Sequence, residues 1–391
     1  MDHLFAPQFE AITLRDRGRS LSFPNTDIKN SELGLDRPSC FLLLLPLMAD
    51  NIPYKTCFAP KSKEEEEEDE RIHERLKETV ATLPTIKIWF GNPMYQYQSF
   101  WYSSDIVGIG PLAVQDHFKA HPTDILIAAT PKCGTTWLKS LVFAVMNHKS
   151  HSLDDHQHPF HKFNSHDLVP TLEIRLYNNN VNGDRIPNLD ILSSPRLLAT
   201  YMPYTSLPQS VRHSGCRIVY ICRNTNDTLV SYWHFINKLR SKNSSMEPVT
   251  LEETFELFCK GISEFGPFWD HVLGYWKASL ERPQSLLFLK YDEMQVEPVL
   301  HLKRMAEFMG CPFSSIEEKE GVVDQIIKLC SFENLSNLAV NMAATNPVGV
   351  TYSALFRKGK VGDSTTYLTH EMMEQLDRIT EHKLQGSGLT L

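Results

Sequence analysis

The sequence lacks a long hydrophobic segment. Its longest apolar run, FLLLLPLM from Phe41 to Met48, is far shorter than the roughly 18 residues of a membrane-spanning helix, and it contains a proline. It also begins too far along the chain for a secretory signal peptide. We therefore expect no membrane partner, and a cytoplasmic location is the default expectation.

Paired cysteines are lacking as well. The eight cysteines are scattered, and no two of them form a C-x-x-C pair, which argues against a thiolate zinc site and against a thioredoxin-like redox motif. We expect reduced thiols. No cluster of metal ligands is recognisable, so we also expect no bound metal.

The chain has no excess of basic residues. Lys and Arg number 39 against 47 Asp and Glu, which gives a net charge of −8 and argues against a nucleic-acid partner. A local basic pocket for a small anion is still compatible with this balance. The apolar fraction of 42% is ordinary for a globular protein, and the length permits one large α/β domain or two smaller ones.

The amino-terminal part divides into two segments before the main domain, for which we expect residues 91–391. Residues 1–47 are predicted to be a disordered extension, and MADNIPYK from Met48 has the appearance of a second start. Residues 48–90 are predicted to be a lead-in. Their acidic run, KSKEEEEEDE at 61–70, is typical of a solvated helix start or a linker.

An aromatic run, PMYQYQSFWY at 93–102, opens the main domain. These side chains either pack on the core or line a pocket for a flat apolar ligand, and the sequence leaves both interpretations open.

Three short apolar runs then predict the fold. They are DILIAAT at 124–130, CRIVYICRN at 216–224 and SLLFLKYDEM at 285–294. Each has the length of a buried parallel strand, and each precedes a helical pattern. The predicted fold is a single α/β domain with a central parallel sheet flanked by helices. Such sheets bind ligands beyond the carboxyl ends of their strands, so we expect a P-loop-like nucleotide site there.

The first strand leads into PKCGTTW, residues 131–137. The usual nucleotide-binding motif places its lysine directly after the second glycine, whereas Lys132 precedes Gly134. The physical features of an anion site are nevertheless present. Gly134 permits a tight turn, the first-turn amides of the next helix are unpaired donors, and Lys132 adds a cation. A P-loop kinase is disfavoured by the position of the lysine and the lack of metal ligands.

Together with this loop, four further segments resemble a known family. They are SHDLVPTLE, SPRLLATYMPYTSLP, RIVYICRNTNDTLVSYWHF and FRKGKVGD, in this order. The chain resembles the cytosolic sulfotransferases, most closely their plant branch, from about Tyr95 to about Leu384. This resemblance implies transfer of a sulfuryl group from 3′-phosphoadenylyl sulfate (PAPS), without a metal, to a hydroxyl of a small acceptor such as a phenol, flavonoid or steroid.

The resemblance also implies roles for individual residues. Lys132 would stabilise the charge that develops on the bridging oxygen as the sulfuryl group leaves. Lys132, Cys133, Gly134, Thr135, Thr136 and Trp137 would form the 5′-phosphosulfate loop, in which Cys133 stands where Ser or Thr is usual. Arg223, Ser231, Arg357, Lys358 and Gly359 would hold the 3′-phosphate. Trp137, Tyr291 and Phe332 would surround the adenine.

One departure from the family pattern concerns catalysis. In LLATYMPY, Tyr201 occupies the position of the histidine that serves the family as general base. A tyrosine, with a reference pKa of about 10, is almost wholly protonated at pH 7 and is a poor proton acceptor. Losing a general base typically costs about 10²- to 10⁴-fold in rate. Two interpretations stay open: a slow or altered enzyme, and a degenerate member that binds nucleotide without turnover.

Two further observations limit what the resemblance implies. Ser364, Thr365 and Thr366 replace the usual Trp, Lys and Asn near the family's dimer-contact segment, so at most a weak homodimer is expected. Other histidines lie near the matching segments, and we expect each to be structural. They are His161, His166 and His213.

Overall fold

The strands of the computed structural model form two separate sheets. The structure describes residues 53–88, 93–153, 157–241, 246–347 and 349–391. The strands are β1 (Thr85–Ile86), β2 (Met94–Tyr97), β3 (Phe100–Ser103), β4 (Ile125–Ala129), β5 (Leu197–Thr200), β6 (Arg217–Cys222) and β7 (Leu286–Lys290). The first three pair antiparallel, and the other four form a parallel sheet in the order β5-β4-β6-β7.

Helices connect the parallel strands and cover the sheet. Those before β6 are α1 (Lys63–Ala81), α2 (Ser104–Val107), α3 (Gly110–His117), α4 (Thr135–Asn147), α5 (Ser165–Leu168), α6 (Asn179–Asn182) and α7 (Gln209–His213). Those after β6 are α8 (Thr225–Arg240), α9 (Leu251–Cys259), α10 (Phe268–Glu281), α11 (Tyr291–Val296), α12 (Pro298–Met309), α13 (Ser315–Lys319), α14 (Val322–Leu329), α15 (Phe332–Asn337), α16 (Ala339–Ala343) and α17 (His370–Leu384). A π-helical turn spans Leu172–Leu176.

The parallel sheet is buried on both faces. In β4, Leu126 and Ala128 belong to one hydrophobic cluster, with side chains of α8 and α10, while Ile125 and Ile127 belong to a second, with side chains of α4 and α12. Successive side chains of a strand point to opposite faces, so a strand covered on both sides must be apolar throughout. The predicted α/β class and the three predicted strands are confirmed.

The antiparallel hairpin decides between the two interpretations of the aromatic run. Tyr95 and Tyr102 are fully buried in the core, and their rings stack with centroids 5.6 Å apart. The run therefore packs on the core rather than lining a ligand pocket.

The lead-in packs against the same core. The acidic run forms the beginning of α1 and is largely exposed, although Asp69 is buried. Ser62 and Glu65 form a capping box at its start, so the helix starts earlier than the apolar positions Leu76 and Val80 alone indicate. Leu76 itself is buried in the cluster that contains Leu126. The expectations for residues 1–47 and for the boundary at residue 91 lie outside the described residues.

Candidate active site

A cavity of about 640 Å³ lies at the carboxyl ends of the parallel strands, within the size range of ligand sites. Of the residues singled out in the sequence, those that line it are Lys132, Gly134, Thr135, Thr136, Trp137, Tyr201, Arg223, Ser231, Tyr291, Phe332, Arg357, Lys358 and Gly359. Those that follow β4, β5, β6 and β7 come together because parallel strands end at one edge of a sheet. Ser231 lies on α8, and Phe332 and residues 357–359 come from later segments. Cys133 is buried and is not among the lining residues.

The loop after β4 is shaped for an anion. Gly134 has a φ of 95°, and a Cβ atom there would lie 2.6 Å from Cδ2 of Tyr291, so only glycine fits. Helix α4 begins at the next residue and has no side-chain cap. The amide groups of its first turn are therefore available to donate hydrogen bonds to a ligand, and the helix dipole favours an anionic ligand.

Lys132 adds a cation to this end of the cavity, and no carboxylate in the described part of the chain forms an ion pair with it. Its Nζ lies 4.3 Å from the centroid of the Phe235 ring. Burial, together with the charges of Arg357 and Arg223, lowers the pKa of Lys132 to about 7. Repulsion among these three cations is relieved when an anion binds between them, so the site favours a polyanionic ligand.

Arg223 is fixed at the end of β6. Its Nη2 donates to Oδ2 of Asp227 (3.0 Å) and to the carbonyl oxygen of Lys360 (2.7 Å), and its guanidinium lies 4.8 Å from the centre of the Tyr291 ring. The Nε atoms of Arg223 and Arg357 are buried and have no hydrogen-bond partner among the described residues. Such orphaned donors are costly unless a ligand satisfies them, and a phosphate suits them.

The segment that follows Arg357 is tied to α8 through Asp227. The carboxylate of Asp227 accepts hydrogen bonds from the amides of Gly362 (2.8 Å) and Ser364 (2.9 Å). Arg357 and Lys358 both pair with Asp363. A bound phosphate would therefore share these two cations with a carboxylate.

Aromatic side chains form a slot beside the cations. Trp137 and Tyr291 meet edge to face, with centroids 5.6 Å apart, and Phe332 meets Phe356 at 6.0 Å. Gly359 has a φ of 63°, and a Cβ atom there would lie 2.5 Å from the Phe332 ring. The slot is suited to a flat heterocycle. Phe356 was not predicted, although it directly precedes Arg357.

Comparison with known proteins identifies the family. A model of the sulfotransferase domain matches residues 122–388. The chain belongs to the sulfotransferase family.

The relatives include plant enzymes that match most of the chain. Cytosolic sulfotransferase 5 of Arabidopsis thaliana is 45% identical over 82% of this chain and 97% of its own length. A flavonol sulfotransferase-like protein of Flaveria bidentis is 44% identical over 81% of this chain and all of its own. The solved structure of a mouse sulfotransferase bound to adenosine 3′,5′-bisphosphate (PAP) is 25% identical, with a TM-score of 0.57, and covers 75% of this chain and 95% of its own.

In this sulfotransferase, Tyr201 follows β5, and its backbone is held on both sides. Its amide donates to Oε1 of Glu173 (2.7 Å), and its carbonyl oxygen accepts from Nε2 of His271 (2.8 Å). Burial raises the pKa of the Tyr201 phenol far above its ordinary value, and the nearby Thr135 side chain offsets only part of this rise. The phenol is thus a worse proton acceptor than its residue type alone indicates.

Only one of the three other histidines lies at the cavity. His166 lines it, with Nε2 3.0 Å from Oγ1 of Thr136 and Nδ1 3.1 Å from Nζ of Lys139. Burial and the Lys139 charge lower the pKa of His166 well below its usual value. Both ring nitrogens are engaged, so His166 orients the Thr136 hydroxyl. His161 and His213 are exposed and away from the cavity.

The thiol of Cys133 lies behind the loop rather than in the sulfotransferase cavity. Its Sγ contacts Oγ1 of Thr130 (2.9 Å) and Oγ1 of Thr228 (3.7 Å), so it joins the loop to α8. Among the described residues, no group of His, Cys, Asp or Glu could hold a metal, and no helix is long and apolar enough to cross a membrane.

Sequence reasoning missed four charged residues of the cavity wall, Asp105, Arg175, Arg240 and Glu264, and it also missed Phe265 beside Glu264. The sequence could have indicated Glu264, because it is the only charged residue in GISEFGPFW, residues 261–269.

Proposed function

We propose that this sulfotransferase transfers a sulfuryl group from PAPS to a hydroxyl of a small acceptor. The observation that carries the proposal is that one cavity gathers an uncapped helix N-terminus, a cluster of cations and an aromatic slot. These are the complements of a phosphosulfate, a 3′-phosphate and an adenine. The PAP complex of the mouse relative supports the same class of nucleotide.

We assign the following roles to the residues, and their positions in the cavity support them. Lys132 and the first-turn amides of α4 bind the 5′-phosphosulfate, and Lys132 stabilises the charge that develops on the leaving oxygen. Arg223, Ser231 and the 357–359 segment bind the 3′-phosphate. The acceptor occupies the part of the cavity near Tyr201, with its hydroxyl directed at the sulfuryl group. The resemblance to plant enzymes leaves phenols, flavonoids and steroids as acceptor classes.

A second candidate function is nucleotide binding without turnover, and the raised pKa of Tyr201 favours it. A screen with labelled PAPS against the acceptor classes, alongside calorimetric titration with PAP, separates the two. Sulfated product supports the enzyme, whereas tight PAP binding without product supports the second function. Absence of PAP binding would contradict both.

Location and assembly are proposed on other grounds. We propose a cytoplasmic location, because the Arabidopsis relatives are named cytosolic sulfotransferases. We propose at most a weak homodimer, because Ser364, Thr365 and Thr366 replace the residues usual near the family's dimer contact.

Removing the Arg223 guanidinium should weaken PAP binding selectively. We expect Arg223→Ala to cost about 1.5–3 kcal/mol in PAP affinity, the scale of a charged hydrogen bond. Binding of adenosine 5′-monophosphate, which lacks the 3′-phosphate, should hardly change. Calorimetry with both nucleotides measures this difference, and equal losses for the two would show that Arg223 is structural.

The affinity for PAP should fall as the pH rises above 7. Charged Lys132 favours binding, and its pKa is about 7 in the protein without ligand, so above that pH part of a proton is taken up with the nucleotide. The expected loss in affinity is about tenfold at most between pH 7 and 9, after which it levels off, because the nucleotide raises the pKa of Lys132 only modestly. In Lys132→Arg the guanidinium stays charged, so the affinity should be flat. The same slope in both proteins would assign it to another group.

A further inference from the structure

Glu264 is a buried carboxyl with one oxygen left without a partner. The residue is 6% exposed and lines the cavity. Its Oε1 accepts a hydrogen bond from the amide of Ser103 (2.9 Å), and its own amide donates to the hydroxyl of Tyr232 (2.9 Å). Its Oε2 has no hydrogen-bond partner within the described parts of the chain. A buried acceptor of this kind is costly unless a ligand satisfies it.

The segment that carries Glu264 is held rigidly. The amide of Phe265 donates to the carbonyl oxygen of Trp101 (2.8 Å), and the amide of Trp101 donates to that of Gly266 (2.9 Å). Phe265 has a φ of 59°, a left-handed conformation that a bulky residue rarely adopts and that persists only where the surroundings impose it. The carboxyl is therefore preorganised rather than free to turn towards solvent.

Glu264 belongs to the acceptor side of the cavity. The ring of the adjacent Phe265 lies 5.4 Å from that of Tyr201, the residue at the position of the family's general base. The cations proposed to hold the nucleotide act on one another, since, beyond burial, Arg357 and Arg223 lower the pKa of Lys132, whereas the charges that act on Glu264 are those of Asp105 and Glu173. The cavity is thus cationic where the nucleotide is proposed to bind and carries an acid where the acceptor binds.

Nothing nearby neutralises this acid. No ion pair joins Glu264 to a Lys or Arg among the residues that the structure describes. The titratable groups that interact with it are acids and phenols: Asp105, Glu173, Tyr95, Tyr102 and Tyr232. Two further cations line the cavity: Arg175 is paired with Asp167 at 2.9 Å, and Nε of Arg240 donates to the carbonyl oxygen of Glu247 at 2.7 Å. Burial, reinforced by the charges of Asp105 and Glu173, raises the pKa of Glu264 to about 8 although the Ser103 amide lowers it.

We propose that Glu264 binds a protonated amino group of the acceptor, so that the enzyme selects hydroxylated amines. An ammonium supplies both the charge and the hydrogen-bond donor that the unpartnered oxygen lacks, and charge-assisted hydrogen bonds of this kind are the stronger ones. The acceptor would span the cavity, with its ammonium at Glu264 and its hydroxyl at Tyr201. This inference rests on the proposed function, since it assumes that an acceptor occupies this cavity beside the nucleotide.

The test compares two phenols that differ in the ammonium. Tyramine and 4-ethylphenol are titrated calorimetrically into PAP-loaded protein, so that no turnover is needed. We expect wild type to bind tyramine about 10-fold or more tightly than 4-ethylphenol, and Glu264→Gln to lose that preference. Asp105→Asn, which changes another acid of the same cavity, should retain it.

The outcomes separate the inference from the proposed function. Failure of PAP to bind contradicts the proposed function, whereas unchanged PAP affinity in Glu264→Gln shows that the variant cavity is intact. With PAP bound, equal affinity for the two phenols, binding of neither, or a preference that survives in Glu264→Gln overturns the inference. So does a preference that depends on Asp105 instead.

A second readout does not require a variant. Because the pKa of free Glu264 is about 8, the carboxyl is mostly protonated at pH 7 and must lose its proton to bind an ammonium. Tyramine binding should therefore release close to one proton, and 4-ethylphenol binding should release none. Titration in buffers of different ionisation enthalpy measures this release, and its absence with tyramine would contradict the inference.

Discussion

Replacing Tyr201 with histidine should raise the turnover number for sulfuryl transfer by about 10²-fold or more. The pKa of the buried phenol lies far above its ordinary value, whereas an imidazole is a proton acceptor near pH 7. Glu173 and His271 hold the backbone at residue 201, so the new side chain should start from the same point beside the acceptor. Steady-state rates with labelled PAPS measure the gain, and PAP affinity should stay nearly unchanged.

Two other substitutions at residue 201 distinguish a restored general base from the removal of a steric block to acceptor binding. Tyr201→Asn is close to histidine in size but cannot accept the proton, so it should lower KM without the gain in kcat. Tyr201→Phe should match wild type if the phenol takes no part in catalysis. A wild type that is already fast, together with a slower Tyr201→His, would instead show that Tyr201 or another group is the working base.

Removing the cation of the phosphate loop should abolish most of the chemistry and little of the binding. In the Tyr201→His background we expect Lys132→Ala to lower kcat by about 10²- to 10³-fold, the range for losing one preorganised donor at a developing charge. PAP affinity should fall much less, because the interaction is strongest in the transition state. Single-turnover kinetics and calorimetry give the two quantities.

A matched control is available on the other side of the nucleotide site. Lys358 also lines the cavity, but its side chain is more exposed and is already paired with Asp363. Lys358→Ala should therefore change kcat by far less than Lys132→Ala does. Comparable losses in the two variants would mean that the general positive charge of the cavity, and not the position of Lys132, supports the reaction.

Local patterns in the sequence account for much of the scaffold. The apolar runs that form β4, β6 and β7 are long enough to predict buried strands. Capping boxes at Thr250 and Ser314, with a Glu three residues later in each case, open α9 and α13. The four residues of β5 are too few to carry such a signal, and β5 is a strand because it pairs with β4. The early start of α1 was readable, since Ser62 and Glu65 form a capping box.

The site was predictable only where residues are close in the chain. The turn at Gly134 and the donors of α4 follow from the loop itself. The approach of Arg357 to Arg223 depends on tertiary folding, and the sequence indicated it only through the family resemblance. Glu264 and His166 became interpretable when the structure showed what surrounds them, because a single acid or imidazole has no periodicity.

Residue 201 is held through its backbone, and this determines which substitutions the position tolerates in evolution. Its anchors are its own amide and carbonyl groups, bonded to Glu173 and His271, and every amino acid except proline offers both. A codon for tyrosine differs from one for histidine by a single nucleotide. With the role that we propose for residue 201, catalysis in this lineage is separable from folding: one base change would abolish or restore it, while the folded protein and its nucleotide site would persist.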